Sequence, residues 1–549
     1  MKKLILIMSV ATLLILINAC SDLLNEKTYT KITTDYISST PAGMASAVLA
    51  MYEKDREIFR TNLDAETTVW TDLVAGDDIT YMRTASDITH YTLVPTTGNI
   101  ASFWKQKYAL ISYANLVIAA ADKVDMTNPV AIQALAEAKV FRAHAYFWLI
   151  RKFDRVYLTT RVTTPENIND SIKYSPAVPD SVFKLINTDL DYAIAHLSWA
   201  TTQPGRFTQG VARHIKAKVA AWEATYTYNG SYIGTPQQNW LEVAKQVNAI
   251  DKSGTYKLLT NPADAFGGGV ITTTGDLNNS EAILVSQWSA GLGGEFVNPT
   301  TGALSGHRMP LIFAPKYNAE RGMQIDFASG AYPWGRVFPN NYLLGLYDQT
   351  KDTRYKTLYK TIWTFNNVSG IPTGKKLGDT LVATSLAQYL NVHPMCTKFC
   401  DSYTRTSPSL TESYKDIILY RVAETYLMGA EAYLHIGKAD STAYYYNKTW
   451  VRAGNVAIPS GSVTMSMIID EHARELAFEG DRWFFLKRNG LLYDRVKKYA
   501  GEYLKKGTLV LNNDTVLRNN IQQYHVRWPI PQAQIDIMGA SNFPQNTGY

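Results

Sequence analysis

EHARELAFEGDRWFFLKR, residues 471–488, sets eight charged residues, one histidine and four aromatic rings into eighteen positions. That density suits a nucleic-acid surface, a catalytic site or a tightly packed interior. On a helix running from 468 to 488, Ile469, Ala473, Leu476, Ala477, Gly480 and Phe484 share one face, which reads as a core face. Glu479 and Arg482 stand three residues apart, so pairing along the helix is expected. Glu475 and Glu479 are of the residue type that performs general acid and base chemistry. The neighbouring arginines favour a structural reading instead: glutamate and arginine pair with each other, or with loop backbone, to pin a partly buried helix. The rings then point inward, away from any nucleic acid or membrane.

Outward from this stretch, apolar residues recur at three- and four-residue intervals over about 41–60, 102–124, 129–153, 180–198, 209–228 and 240–250. AEAKVFRAHAYFWLIRKF alternates alanine with large rings, so helices approach closely and the rings fill the gaps. Residues 427–449 resume the pattern, with Gly437 ending one helix and Ala439, Ala443 and Asn447 on one face of the next. Paired helices of this composition look like degenerate tetratricopeptide units. Residues 255–380 differ in kind. Gly267–Gly269, Gly293–Gly294 and GAYPWGRVFPNN predict loops and short strands. The triple glycine lacks the following Lys-Ser/Thr of a phosphate cradle. The expected layout is one mainly α domain over 41–549: a helical scaffold at about 41–254 and 412–490, a loop-rich insert at about 255–411 and a C-terminal segment at 491–549.

The chain has 549 residues, 46% hydrophobic and 19% charged, which describes a folded protein rather than a disordered one. Its formal charge of +6 falls to about +4 once Lys2 and Lys3 are removed with a leader, too little for a nucleic-acid binder of this size. After a basic start, the apolar run LILIMSVATLLILI reads as a secretory signal at 1–19, and Ile17-Asn18-Ala19-Cys20 resembles a bacterial lipobox. Cys20 is then the acylated first residue, followed by a polar leash over 20–40 that includes Ser21, Asp22, Asn25 and Glu26. Cys396 and Cys400 are expected as a local disulfide or free thiols rather than, with His393, a zinc site. No metal and no cofactor is expected. The sequence holds no Gly-x-Ser-x-Gly elbow and no His-Glu-x-x-His.

Phe478-Glu479-Gly480-Asp481-Arg482-Trp483-Phe484-Phe485-Leu486-Lys487-Arg488 resembles the F-E-G-x-R-x-x-D-L-x-R signature of the SusD/RagB family, with Phe485 where the family has aspartate. Other segments are similar in order: Arg421–Ala432, Trp450–Gly454, Trp104–Asn115, Ala136–Ala143, Pro529-Ile530-Pro531 and Gln545–Tyr549. The resemblance implies four tetratricopeptide-like helix pairs carrying an irregular ligand-binding half. It further implies a cell-surface lipoprotein of the outer membrane that serves a SusC-like TonB-dependent transporter, binds glycans or in some members peptides, and performs no catalysis. A glycoside hydrolase built on paired carboxylates is the rival of another class.

Sugar recognition needs flat rings against pyranose faces and polar groups for the hydroxyls. Two stretches offer both, in regions from which the family draws its aromatics. WTDLVAGDDITYMRTASDITHY, residues 70–91, supplies Trp70, Asp78, Tyr81 and Arg83. The second comprises Trp288 with Tyr332, Trp334 and Arg336, where Pro333 and Gly335 hold the rings in a loop. Trp334 or Tyr81 is expected to stack a sugar while Arg336 or Asp78 holds hydroxyls; Trp104 and Tyr108 read as core.

Overall fold

The computed structural model describes residues 34–56, 76–81, 87, 91–163, 167, 172, 174–290, 296–297, 304–330, 332–500, 504–506, 509–511 and 515–549. Cys20, Trp70 and Arg83 lie outside them. The scaffold is built from α1 (Pro41–Arg56), α2 (Gly98–Ala120), α3 (Pro129–Phe153), α4 (Pro179–His196), α5 (Gln209–Thr225) and α6 (Pro236–Lys252). It resumes with α7 (Val422–His435), α8 (Ala439–Arg452), α9 (Met465–Glu475) and α10 (Arg482–Arg488). Among the described residues no helix is long and apolar enough to cross a membrane.

Local chemistry sets the ends of these helices. In α3 the Asn128 side chain accepts from Val130 N–H, Pro129 occupies the first turn, and Asp154 ends the helix in the left-handed region at φ 58°. α5 starts on the Thr208 hydroxyl, which accepts from Val211 N–H at 3.3 Å. Both helices are buried nearly all round, so each is sandwiched between neighbours rather than lying on the surface. α1 packs on α2 and α3, and α3, α4, α5 and α6 each pack on the next; α7 packs on α8, α5 and α6. Helix pairs are thus present as packed neighbours, while their description as tetratricopeptide-like remains what the family resemblance implies.

The middle stretch holds loops, short 3-10 turns and strands of two to five residues. Four strands matter for the site: β1 (Ile79–Tyr81), β2 (Ala282–Ser286), β3 (Val337–Pro339) and β4 (Ile417–Arg421). β1 pairs antiparallel with β3, and β2 with β4. Among the described residues two large apolar cores result, with a small third cluster at Leu277, Ala282 and Val285. One lies among the helices and includes Phe103, Trp104, Phe141, Phe147, Trp222, Phe484 and Trp528. The other lies in the loop-rich half and includes Phe313, Tyr317, Phe338, Tyr359 and Trp363. Each large side chain so buried contributes about 1.5–3 kcal/mol.

Residues 471–488 join the two cores. Ala473, Ala477 and Phe478 belong to the loop-side core, whereas Trp483 to Leu486 belong to the helical one. The structure corrects the single helix expected over 468–488. The helix stops at Glu475 and restarts at Arg482, because Phe478 (φ 67°) and Gly480 (φ 95°) turn the backbone into the left-handed region. A left-handed phenylalanine is costly, and here its buried ring is held edge-on by Phe313 at 5.3 Å. Lys398 Nζ caps the broken end by donating to the carbonyls of Glu475 (3.0 Å) and Ala477 (2.9 Å) and to Glu479 Oε1 (2.6 Å).

Apart from Arg474, which donates to Glu471 within α9 at 2.8 Å, the charges of this stretch pair across the fold rather than along a helix. Glu479 accepts from Arg421, and Arg482 pairs with Asp77 instead of Glu479. Glu475 sits among Arg354, Arg421 and Arg452. Burial alone would raise its pKa, but Arg452, Arg421 and Arg354 together hold it well below the usual carboxylate range. A carboxylate kept ionised by three arginines is a structural anion. At the position where the signature has aspartate, Phe485 stacks on His472 at 4.0 Å. Cys396 and Cys400 are free and buried, and burial pushes both thiols up to about 12. Among the described residues no group of His, Cys, Asp or Glu is arranged to hold a metal ion.

A candidate ligand-binding edge at Trp334

The two ring-bearing stretches of the sequence meet in one ribbon. β1 runs antiparallel to β3, with Ile79 opposite Pro339, Thr80 opposite Phe338 and Tyr81 opposite Val337. The register places Tyr81 at the end of β3 that leads into Arg336 and Trp334. The 334–336 loop hangs on the short helix Met309–Phe313: Gly335 N–H donates to Ala314 O at 2.6 Å and Arg336 N–H to Ile312 O at 3.1 Å. Gly335 adopts φ 68°, a conformation that glycine enters without a steric penalty. Trp334 is half-buried, with the Arg336 guanidinium 5.3 Å from its ring centroid, and Tyr332 is half-buried beside it.

Other expected contributors sit deeper. Arg336 is 8% exposed and Asp78 is 1% exposed. Asp78 titrates at about 7, since burial and the adjacent Asp77 raise it more than Arg482 and Arg495 lower it; among the described residues its Oδ1 has no hydrogen-bond partner. Trp288 is buried in the loop-side core, which also takes in Ile79, Val337 and Phe338 of the ribbon. Arg56 lies 5.1 Å over its ring, His307 meets it edge-on at 5.0 Å, and its backbone N–H donates to Asp416 at 2.8 Å. Burial raises Asp416 to about 6, and this carboxylate also accepts from Leu277 N–H (3.1 Å) and Gln287 Nε2 (3.0 Å), tying two loops together. The structure therefore brings Asp78, Tyr81, Arg336 and Trp334 to one ribbon, and buries Trp288 among Arg56, His307 and Asp416.

Two features escaped sequence reading. Asp77, one residue before the expected Asp78, is held by Arg482 and Arg495, and Asn340 ties the backbone beside it: Nδ2 donates to Asp77 O at 2.7 Å and N–H to Asp78 O at 3.2 Å. The acidic doublet was visible in the sequence; its partners, hundreds of residues away, were not. A cleft of about 250 Å³ also opens between α1 and β2, lined among others by Tyr52, Arg56, Arg206 and Gln287. No local motif marks it.

Comparison with known proteins bears on the whole chain. Residues 316–549 match the model described as the SusD family, and residues 22–220 match a model described as starch-binding, associating with outer membrane. A SusD-like protein of Formosa agariphila is 23% identical over 97% of both chains. The crystal structure of a SusD homolog from Bacteroides thetaiotaomicron superposes with a TM-score of 0.73 at 19% identity, covering 96% of this chain and all of the other. Surface glycan-binding protein A from the same organism, solved in complex with laminarihexaose, gives 0.69 at 19% identity over 92% of this chain and 100% of its own. Two models that abut the two ends of the chain, together with full-length relatives and the shared fold, lead to one conclusion: the chain belongs to the SusD/RagB family.

Proposed function

We propose that this protein binds glycans non-covalently at the edge formed by Trp334, Arg336 and Tyr81, and passes them to a SusC-like TonB-dependent transporter in the outer membrane. The observation that carries the reading is Trp334 itself: a half-exposed indole in a glycine-hinged loop, one face near a guanidinium, at the end of the ribbon that joins both ring-bearing stretches. An indole in that setting offers an apolar plane to a pyranose, and adjacent polar groups orient the hydroxyls. Relatives support the ligand class, one of them holding laminarihexaose. The lipobox at Cys20 supports a lipid anchor in that membrane. No chemical step enters this reading.

Calorimetric titration of the full chain against laminarihexaose, a xylogluco-oligosaccharide, maltoheptaose and a peptide mixture tests the ligand class. Saturable binding of a glycan supports the proposal, while binding of peptides alone, or turnover of any glycan, overturns it. Palmitate labelling that is lost in Cys20→Ser tests the anchor, and co-purification of a TonB-dependent barrel tests the transporter.

A further inference from the structure

We infer that Asp77, gripped by Arg482 and Arg495, is a positioning residue for the candidate site: this buried clamp fixes β1 beside β3 and so sets where Tyr81 stands relative to Arg336 and Trp334. The consequence for ligand rests on the binding site proposed above; the clamp itself concerns only the placement of β1.

A three-residue strand paired with one other strand has little stability of its own. Something else must hold it, and the side chains show what. Arg482 donates from Nε and Nη2 to the two Asp77 oxygens at 2.7 and 3.1 Å, in the fork geometry that fixes direction as well as distance. Arg495 Nε donates to the same carboxylate. Asp77 is fully buried and Arg482 is 5% exposed, so water screens the attraction little. The arginine is itself immobilised: its Nη1 donates to Ile469 O in α9 at 2.8 Å, its Nη2 to Tyr342 Oη at 3.3 Å, and Tyr342 in turn donates to Asp470 at 2.8 Å. Arg495 lies 4.8 Å over the rings of both Tyr342 and Tyr499.

Gly76 lets the chain come this close, since a Cβ there would stand 2.9 Å from Asp78 Oδ1 and 3.0 Å from Arg482 Cγ. The grip sits two residues before β1, and the Trp334 loop leaves β3 at the far end of the same ribbon. Arg482 belongs to the segment that joins the two cores. It therefore carries the position of the helical scaffold into the loop-rich half.

Hydrogen–deuterium exchange on the full-length protein tests the clamp without any ligand. In Asp77→Asn, amides in 76–81 and 337–340 are expected to exchange at least tenfold faster than in wild type, with α2 and α3 unchanged. Arg482→Lys, which keeps the charge but loses the fork, is expected to show a smaller acceleration at the same amides; it carries the test if Asp77→Asn does not fold. Unchanged exchange at 76–81 in the variant that folds overturns the inference. With laminarihexaose as the probe, at least tenfold weaker binding by the same variant completes the positioning role, and faster exchange with unaltered affinity overturns that role. Should wild type bind no glycan of the panel, the function proposed above fails, and the exchange measurement still decides the clamp.

Discussion

Arg421, the last residue of β4, and Glu475, the last of α9, form a buried pair in which Arg421 Nη1 donates to Glu475 Oε1 at 2.6 Å and Nη2 to the Glu475 carbonyl at 2.6 Å. The same arginine reaches Glu281 in the turn before β2 at 2.7 Å and Glu479 at 2.5 and 2.8 Å. One guanidinium thus meets three carboxylates from two parts of the chain. Burial would lower its pKa, but Glu479, Glu475 and Glu281 push it well above the ordinary arginine value. Arg421→Met leaves buried anions short of a partner, and removing one side of a buried pair costs about 3–5 kcal/mol. Chemical denaturation should show a loss of that size; a loss below about 1 kcal/mol would show that Arg452, Arg354 and Lys398 suffice without it.

Trp334 is only half-buried, so under the proposed function part of its indole is open to a ligand. Trp334→Ala is expected to weaken glycan binding about tenfold or more, equivalent to about 1.4 kcal/mol, while the melting temperature moves little. Trp334→Tyr keeps a flat ring and should retain most of the affinity. Equal affinity in wild type and Trp334→Ala would remove this residue from the site.

Asp78 gives the protein a pH dependence of defined sign. Its carboxyl titrates at about 7 in the fold and faces Asp77, Arg482, Arg495 and Tyr359. The folded state therefore holds this proton more tightly than the unfolded chain, and the group lowers stability as pH rises from about 4 to about 7. Asp78→Asn removes that slope. The variant should be more stable than wild type at pH 8, with the gap narrowing towards pH 4. Burial holds His144 down at about 3 and His307 at about 4, which gives the opposite slope, but both proteins share these groups and they cancel in the difference. A gap that stays constant with pH would refute the assignment.

Cys396 and Cys400 are both 2% exposed, with thiols pushed up to about 12 by burial. Neither presents a thiolate at neutral pH. Alkylation at pH 8 should leave both unmodified in the native protein and modify both in denaturant; fast labelling of the folded chain would contradict this packing.

The helices were the most legible part of the sequence. The stretch expected at 129–153 is α3 to the residue, and that at 209–228 overshoots α5 by one turn. Periodic apolar residues and local caps act within a few positions, so a linear reading captures them. Over 468–488 the same reading failed. The periodicity runs on through residues 476–481, and the left-handed Phe478, wedged against Phe313, breaks the helix together with the left-handed Gly480. At the candidate site, loop aromatics were readable as such and the β1–β3 register brings two of the stretches together. The burial of Asp78, Arg336 and Trp288 was not readable, because it depends on which distant loops cover them.

By itself the sequence determined where α3 and α5 run, the loop-rich middle and the family signature at 478–488, since each rests on contacts or patterns local to the chain. Glu471 and Arg474 pair at i,i+3 within α9, but only the tertiary structure decided the other charge partners of 471–488 and those of Arg421. Arg482 meets Asp77 across 405 positions and Arg421 meets Glu281 across 140. Ions removed from water take whichever opposite charge the packed cores bring within reach, and that choice is made by long-range burial rather than by spacing along a helix.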